Sequence, residues 1–266
     1  MSHTLKVFLK VLHIRIYNKC EQHMGRSQFG FKEGTGTREA LFCLQVLVQN
    51  CRDVCKDIFL CFIDYEKAFD RVQHDKLIDA LSKIGLEQNI IRCIQNLYWN
   101  QTAHIRNQDG TSKDIKIRCG VRQGCILSPL LFNIYAEAIF FEALDFIEKG
   151  VKVNGTYVNN LRYADDTTMI ADNIEDLQYL VDQVVLVSKR YNLNINTSKT
   201  KLMIVSRRQL PHNDAVLTVE NNFIERVSCF KYLGCWLEED WSADKEIKCR
   251  IEIASNCFLK LKKLLC

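Results

Sequence analysis

The sequence predicts an α+β fold in which helices cover one face of a sheet. Residues 57–64 form a continuous apolar run that ends in Asp64, as expected of a buried central strand whose end opens onto a cleft. Residues 161–171 form a second apolar segment, interrupted by Asp165 and Asp166, which suits two strands joined by a tight turn. Apolar residues at helical spacing separate these segments, so we expect helices to pack on one face of the sheet.

Composition and charge describe a globular protein with an acidic centre. Of the 266 residues, 47% are hydrophobic and 26% are charged, which allows a sizeable core, and there are only two prolines. Residues 1–40 carry seven Lys or Arg against three Glu, and residues 245–266 carry six against two. Each end is therefore +4 and the middle is −4. A polyanion held over a metal site would suit this pattern, although solvated helix faces would produce it too.

Cysteine usage and the amino-terminal segment indicate a compartment. The thirteen cysteines include no C-x-x-C pair and lie in apolar segments, so we expect them to be reduced and mostly buried, with no zinc site. Lys10, His13 and Arg15 interrupt any signal-peptide core, and no apolar run approaches the ~18 residues that span a bilayer. We expect a nuclear or cytoplasmic protein that does not enter a membrane.

Periodicity and turn residues give the order of the elements. Ser128 should cap the helix that Pro129 begins, and Asn173 should cap the next one. The last helix reaches Cys266 without a C-cap, which suggests a chain cut inside a larger unit. The predicted elements are a helix at 5–16, a glycine-rich basic loop at 27–38, a helix at 41–51, the strand at 57–64, helices at 74–84 and 89–99, a hairpin about Asp109-Gly110, a helix from 128 to about 149, the strands of 151–171, a helix after 173, a strand at 202–206, a hairpin at 216–226, an extended segment at 228–236 and a basic helix from 242.

The acids that end the strands suggest a chemistry. Asp64, Asp165 and Asp166 would converge at one edge of the sheet, and adjacent carboxylates are costly to ionise unless a cation lies between them. Two magnesium ions there would activate a 3′-hydroxyl and stabilise a leaving pyrophosphate. An isolated Asp-Asp pair is more often an ordinary turn. The pattern by itself does not separate a polymerase from a cyclase or a nuclease.

Six motifs occur in the order of one protein family. The motifs are SQFGFK at 27–32 with GTREA at 36–40, FIDYEKAFD at 62–70, GVRQG at 120–124 continuing to 129, YADD at 163–166, LNIN at 193–196 with KTK at 199–201, and FKYLG at 230–234. The chain thereby resembles the reverse transcriptase domain of non-LTR (LINE-type) retrotransposons over nearly all of its length. In that family these segments look like the fingers motif, motifs A, B, C and D, and the primer-grip hairpin.

The resemblance implies a fold and an activity. The fold would be a polymerase palm, an antiparallel sheet with covering helices, together with partial fingers and the start of a helical thumb. The activity would be that of an RNA-directed DNA polymerase, which extends a DNA primer on an RNA template with deoxynucleoside triphosphates and two Mg²⁺ ions, or Mn²⁺ in their place. The implied domains are partial fingers at 1–56, a palm with a fingers insertion at 57–226, a primer-grip hairpin at 227–241 and a truncated thumb at 242–266.

The resemblance also implies catalytic roles. Asp64, Asp165 and Asp166 would bind the two metal ions. Lys199 would protonate the pyrophosphate or contact a backbone phosphate. Phe69 would lie beneath the incoming sugar and exclude a 2′-hydroxyl, a role that is compatible with packing in the core.

The remaining implied roles concern binding. Lys32 and Arg38 would hold the triphosphate, although each is as readily a free surface charge. Gln123 and Gly124 would lie against the nucleotide and the template, where the missing side chain of glycine permits close approach. The residues that would hold the primer end are Phe230, Tyr232, Leu233 and Gly234.

Departures from the family leave alternatives open. We expect the chain to start after a further basic fingers motif, with no endonuclease domain before it. Lys32 stands where the family more usually has Arg, and a lysine keeps the charge but cannot make the bidentate contacts of a guanidinium group. A competing hypothesis is therefore an inactive or domesticated remnant that binds nucleic acid or protein without turnover. A third, another palm-type nucleotidyltransferase, is disfavoured by Phe69 and by Gln123-Gly124, because a cyclase needs neither a steric gate nor a template.

Overall fold

The structure, a computed structural model, describes residues 2–99, 101–107, 110–207 and 215–265. Most of the helices coincide with the apolar periodicity of the sequence. Eight helices lie in this part of the chain: α1 (His3–Glu21), α2 (Thr37–Asp53), α3 (Ala68–Arg71), α4 (His74–Lys83), α5 (Gln88–Tyr98), α6 (Ser128–Leu144), α7 (Ile174–Arg190) and α8 (Asp244–Leu265).

Fifteen strands lie among the described residues, and five of them form the central sheet. The strands are β1 (Ile58–Ile63), β2 (Thr102–Ala103), β3 (Arg106–Asn107), β4 (Gly110–Thr111), β5 (Ile115–Lys116), β6 (Val151–Val153), β7 (Thr156–Val158), β8 (Asn160–Tyr163), β9 (Asp166–Ala171), β10 (Lys201–Val205), β11 (Thr218–Val219), β12 (Asn222–Phe223), β13 (Glu225–Arg226), β14 (Cys229–Tyr232) and β15 (Cys235–Glu238). The order in the central sheet is β13-β10-β1-β9-β8. β1 is antiparallel to both β9 and β10, and the edge strand β13 is parallel to β10.

The central strand β1 is buried along its whole length because both faces of the sheet are covered. Phe59, Cys61 and Ile63 pack with helices α1, α4, α5, α6 and α7. The alternate residues, among them Leu60 and Phe62, pack with α2 and with the β14–β15 hairpin. The prediction of helices on one face is confirmed, and the structure adds a helix and a hairpin on the other. A strand covered on both sides reads as a continuous apolar run.

The two predicted helix caps have different outcomes. Asn173 caps α7 as predicted, because its side-chain oxygen accepts the backbone N–H of Asp176 at 2.7 Å. The prediction for Ser128 is wrong: the N-cap of α6 is Leu127, and the Ser128 hydroxyl donates to the carbonyl of Arg122 at 2.6 Å. The hydroxyl therefore closes the preceding loop instead of capping the helix. α6 also ends earlier than predicted, at Leu144.

The predicted hairpins are present where the chain is described. β2 pairs with β5 and β3 pairs with β4, while Asp109 of the predicted turn lies outside the described residues. β11 and β12 pair about Glu220 and Asn221, whose φ angles of 52° and 65° suit a two-residue hairpin turn. The predicted second strand, at 223–226, is divided: Phe223 belongs to β12, and Glu225–Arg226 form β13, which joins the central sheet. The segment predicted as extended at 228–236 forms the β14–β15 hairpin.

The cysteines are free, as predicted, but most of them are not buried. In the described ranges twelve free cysteines occur; Cys20, Cys51, Cys61 and Cys125 are the buried ones. The prediction that most are buried is wrong because helices such as α5 and α8 present cysteines on outer faces, as Cys93 shows. Cys266 lies outside the described residues. None of the described helices has the length and apolar character needed to cross a bilayer.

Candidate active site

Strand register brings the three predicted acids to one end of the central sheet. Asp64 directly follows β1, and β9 begins at Asp166. β1 and β9 pair with Ile63 opposite Thr167, so the next pair along the antiparallel ladder is Asp64 and Asp166. Asp165 lies in the turn between β8 and β9. Residues distant in sequence thus meet because three antiparallel strands end together.

Burial and mutual repulsion raise the pKa values of two of these carboxyl groups. Burial of its carboxyl is the largest cause for Asp166, the charges of Asp165 and Asp64 add to it, and the pKa rises from 3.8 to about 6. The pKa of Asp165 is raised by burial and by Asp64, and a hydrogen bond to its own backbone N–H partly offsets this. Each ionised carboxylate therefore raises the free-energy cost of ionising its neighbour, as in other carboxylate clusters.

A cleft of about 380 Å³ lies at this end of the sheet, between the acids and the β14–β15 hairpin. Lys199 is 68% exposed, and its Nζ lies 3.8 Å from Oδ2 of Asp64. Lys201 pairs with Glu225 at 2.7 Å. The cleft is thus lined by both acidic and basic side chains. Its lining residues among those described are Phe62, Ile63, Asp64, Asp166, Thr167, Ser198, Lys199, Lys201, Phe230, Lys231 and Tyr232.

The donor set of the acids suits a hard divalent cation. Asp64, Asp165 and Asp166 offer carboxylate oxygens, which Mg²⁺ prefers. As the side chains stand, no group of three or more His, Cys, Asp or Glu in the described ranges is arranged to hold a metal ion. Repulsion between the carboxylates, and the approach of Lys199 to Asp64, favour separated side chains. The backbone positions fit a shared ion, and side-chain rotation would have to bring the oxygens together.

Residues 194–200 hold the backbone on which Asp64 stands. The carbonyl of Asp64 accepts the N–H of Asn196 at 2.8 Å, and the N–H of Glu66 donates to the carbonyl of Asn194 at 2.9 Å. The hydroxyl of Thr200, which is fully buried, accepts the N–H of Asp64 at 3.3 Å. The sequence predicted no role for this hydroxyl, since Lys199 is the predicted site residue of the segment. The backbone of Asp64 is therefore fixed on both sides.

Phe69 lies where the 119–124 loop meets α3. Its ring stacks on Phe132 with centroids 4.3 Å apart, and its carbonyl accepts the N–H of Val121 at 2.8 Å. Gly120 has a φ of 92°, and a Cβ there would lie 2.8 Å from the carbonyl oxygen of Asp70, so only glycine fits this approach. The tip of the loop, at 123–124, is exposed. The loop is thus attached to the segment that follows Asp64.

The β14–β15 hairpin is attached to the sheet by aromatic rings. Phe230 stacks on Phe62 with centroids 4.6 Å apart, and Tyr232 lies 5.2 Å from the same ring. Tyr232 is only 4% exposed, and burial raises the pKa of its hydroxyl. Leu233 and Gly234 form the turn, with φ angles of 46° and 82°. Tyr232 is therefore an anchor in the core, while Gly234 in the turn is exposed and its carbonyl accepts a hydrogen bond from Arg250 of α8 at 3.0 Å.

The predicted nucleotide-binding residues do not line the cleft itself. Lys32 is partly exposed and Arg38 is exposed in the first turn of α2; neither makes an ion pair with another described residue. Gln123 and Gly124 are exposed at their loop tip, and Phe69 is partly buried. The structure brings together Asp64, Asp165, Asp166 and Lys199. The five predicted nucleotide-binding residues lie outside the lining of the cleft.

Comparison with known proteins decides the family. Residues 1–237 match the family described as reverse transcriptase (RNA-dependent DNA polymerase). The chain belongs to this reverse transcriptase family. Its relatives include the polyprotein of the type-1 retrotransposable element R2 of Popillia japonica, 27% identical over 236 residues, and the RNA-directed DNA polymerase from the mobile element jockey of Drosophila funebris, 25% identical over 224 residues. The expected non-LTR affiliation is confirmed.

The reverse transcriptase chain covers only part of these relatives. The matches include 85% and 83% of this chain but 32% of the R2 polyprotein and 24% of the jockey protein. Among solved structures, apo telomerase from Candida tropicalis superposes with a TM-score of 0.61 at 14% identity, over 87% of this chain and 39% of that one. The same telomerase with a fragment of telomeric RNA gives 0.60 at 18%, over 91% and 37%. This likeness shows a shared reverse transcriptase fold.

Proposed function

We propose that this chain is the catalytic part of an RNA-directed DNA polymerase of non-LTR retrotransposon type. The observation that carries the proposal is the register of β1 and β9, which aligns Asp64 with Asp166, next to Asp165, at the mouth of a cleft. Jockey is named as an RNA-directed DNA polymerase, and the telomerase neighbour was solved with RNA. Both support an RNA template, a DNA primer and deoxynucleoside triphosphates as partners.

The elements suit the parts of a polymerase. The central sheet with α6 and α7 would be the palm, within 57–226, and residues 1–56 would be part of the fingers. The β14–β15 hairpin, within 227–241, would be the primer grip, since it borders the cleft that holds Asp64 and Asp166. α8 would begin the thumb at 242–266, and its exposed basic side chains suit the phosphate backbone of a duplex.

The acids and the lysine of the cleft would perform the chemistry. Asp64, Asp165 and Asp166 would hold two divalent ions, Mg²⁺ by donor type, with Mn²⁺ as a substitute. When bound, such ions make a 3′-hydroxyl more nucleophilic and stabilise the charge on a departing pyrophosphate. Lys199, which is exposed and lies 3.8 Å from Asp64, would donate a proton to that leaving group or contact its phosphates.

The surrounding residues would select and orient the substrates. The ring of Phe69, fixed by its stack on Phe132, would leave no room for a 2′-hydroxyl. Gln123 and Gly124 would lie along the template nucleotide, and Lys32 and Arg38 would approach the triphosphate. Phe230 and Tyr232 would hold the hairpin in place, so that its turn at 233–234 contacts the primer end.

Primer extension tests this proposal. The chain is incubated with a DNA primer on an RNA template, Mg²⁺ and deoxynucleotides, and compared with Asp165→Asn and with Asp182→Asn, a control on the exposed surface of α7. We expect extension by the wild type and the control, and at least about a hundredfold slower extension by Asp165→Asn, since loss of a metal ligand removes transition-state stabilisation. Folded wild-type protein that extends no primer contradicts the proposal and favours the inactive remnant. Preference for ribonucleotides also contradicts it.

A further inference from the structure

The turn that carries Asp165 has an unusual backbone. Ala164, the residue before it, has a φ of 57°, in the left-handed region that residues other than glycine seldom adopt. No side chain of Ala164 can hold this conformation by a local hydrogen bond, as Asn or Asp would. Contacts from elsewhere must therefore keep the turn in place, and with it the direction in which Asp165 and Asp166 project.

A buried amide supplies such a contact from 136 residues away. Gln28 is 1% exposed, and its side-chain oxygen accepts the backbone N–H of Ala164 at 3.1 Å. The same oxygen accepts the N–H of Gly30 at 2.8 Å. One acceptor thus joins the catalytic turn to the 27–30 segment. Neither partner is a side chain, so the bond acts on the backbone of the turn directly.

The 27–30 segment is itself held against β8. The N–H of Phe29 donates to the carbonyl of Arg162, and the N–H of Arg162 donates to the carbonyl of Ser27, both at 2.8 Å. These bonds extend the sheet by one short parallel bridge. They fix Gln28 relative to the strand that leads into the turn.

Gly30 packs directly against the backbone of the turn, and a buried asparagine holds Gly30 in place. A Cβ on Gly30 would lie 2.4 Å from the nitrogen of Ala164 and 2.8 Å from the carbonyl carbon of Tyr163, so the two backbones touch without room for a side chain. Asn133 of α6, fully buried, donates from Nδ2 to the carbonyl of Gly30 at 2.6 Å. The turn therefore packs against Gly30 and the amide of Gln28, and α6 holds Gly30 in place through Asn133.

We propose that Gln28 is a positioning residue for the reaction: its side-chain oxygen sets the backbone of Ala164, and so the placement of the Asp165 and Asp166 carboxylates relative to Asp64. The proposal rests on the function proposed above. Gln28 contacts neither the carboxylates nor a substrate, and it acts through the backbone. Displacing a catalytic group by about 1 Å can lower a rate about a hundredfold, so a distant clamp of this kind governs turnover more than binding.

The test compares two glutamines that bond to backbone. Gln28→Met removes the acceptor at similar side-chain volume. Gln178→Met is the matched control, because the Gln178 amide of α7 accepts the N–H of Thr218 at 2.8 Å and donates to its carbonyl at 2.9 Å, in a part of the fold that does not line the cleft. Steady-state extension gives kcat and KM for the deoxynucleotide, and amide hydrogen exchange by mass spectrometry is followed for peptides covering 161–170. All measurements are made below the melting temperature of each variant.

For Gln28→Met we expect kcat to fall about 10- to 100-fold while KM for the deoxynucleotide changes less than about threefold, and exchange at 161–170 to become faster. Gln178→Met should keep the wild-type kcat and the wild-type exchange in that segment. Unchanged kcat and exchange in a folded Gln28→Met, or a variant that does not fold at any temperature, overturns the proposal. If the wild type extends no primer yet Gln28→Met accelerates exchange at 161–170, the proposed function fails and the positioning role stands.

Discussion

Asp165 and Asp166 lie side by side at the end of the sheet although each raises the cost of ionising the other. Burial of the carboxyl and the nearby charges raise the pKa of Asp166 to about 6. A protein that used this turn only as a turn would gain stability from replacing one acid by a neutral residue. A cation-binding role explains why both acids are present opposite a third acid, Asp64, because a bound cation would offset their repulsion.

Replacing Asp166 by Asn should therefore stabilise the protein at neutral pH in the presence of EDTA. The folded pKa lies above the ordinary 3.8, so the folded state binds the proton more tightly, and stability falls as pH rises from about 4 through about 6. Although protein atoms around its carboxyl raise the pKa, Asp166 as a whole residue is exposed to solvent. Solvent screening therefore reduces the effect, and we expect a rise in melting temperature of about 1–2 °C at pH 7. Melts followed by circular dichroism at pH 7 and pH 4 measure it. The difference should vanish at pH 4, and a lower melting temperature at pH 7 would contradict the assignment.

Phe69 should control the choice of sugar. Phe69→Val replaces the ring that stacks on Phe132 by a smaller aliphatic side chain, which opens space where the proposed substrate carries its 2′ position. We expect the preference for deoxynucleotides over ribonucleotides, measured as the ratio of kcat/KM, to fall about tenfold or more, within the range of steric discrimination. An exposed aromatic on the hairpin of β11 and β12, Phe223, is the control, and Phe223→Val should leave the ratio unchanged. An unaltered ratio in Phe69→Val would remove Phe69 from the nucleotide site.

Single residues differ in how well the sequence predicts them. Asp64, Asp165 and Asp166 stand out because acids that end apolar strands are rare and costly. Gln28 and Thr200 do not, since each acts on a backbone N–H 136 residues away, and no local pattern signals such a bond. The resemblance pointed to the segments that contain them but gave these two side chains no role.

At the scale of elements, the β14–β15 hairpin depends on its aromatic rings. It makes a separate two-stranded sheet, which is marginally stable by itself. Phe230 and Tyr232 pack it onto Phe62 of the central strand, at the cleft. The hairpin's turn is therefore held at a fixed place relative to Asp64.

Phe230→Ala should loosen this attachment. Because the ring is partly buried and stacked on Phe62, we expect a loss of about 2 kcal/mol in the free energy of unfolding, below the cost of truncating a fully buried ring. Phe223→Ala, which removes a ring that is 78% exposed, should change it by less than about 0.5 kcal/mol. Urea unfolding measures both. Equal effects of the two substitutions would show that the stack on Phe62 does not hold the hairpin.

Elements were predictable where their signal is local. The buried run of β1, the apolar face of α7 and its Asn173 cap depend on neighbours in sequence, and the structure confirms them. The Ser128 cap was not predictable, because its hydroxyl has a partner in the preceding loop. Strand order, and the cover that α2 gives to the second face, depend on long-range packing that periodicity does not encode.

At the scale of the whole molecule, the acids lie at the end of the central sheet, and the basic ends of the chain include α1 and α8. The exposed faces of these two helices carry large apolar side chains, such as Phe8 and Ile251, beside the basic ones. The family was predictable because six motifs occur in family order, and the match over residues 1–237 confirms it. The meeting of three strand ends, which brings the acids together, depends on long-range strand pairing that no single motif encodes.

Binding of Mn²⁺, followed by electron paramagnetic resonance, tests the central claim most directly. The wild type is titrated with and without a deoxynucleoside triphosphate, beside Asp64→Asn and the surface control Asp182→Asn. The account predicts two bound ions per molecule in the presence of the nucleotide, wild-type binding by Asp182→Asn, and affinity lowered at least about tenfold in Asp64→Asn, since ligand charge sets cation affinity. Mn²⁺ that binds the wild type and Asp64→Asn equally, or does not bind the folded wild type, would contradict it.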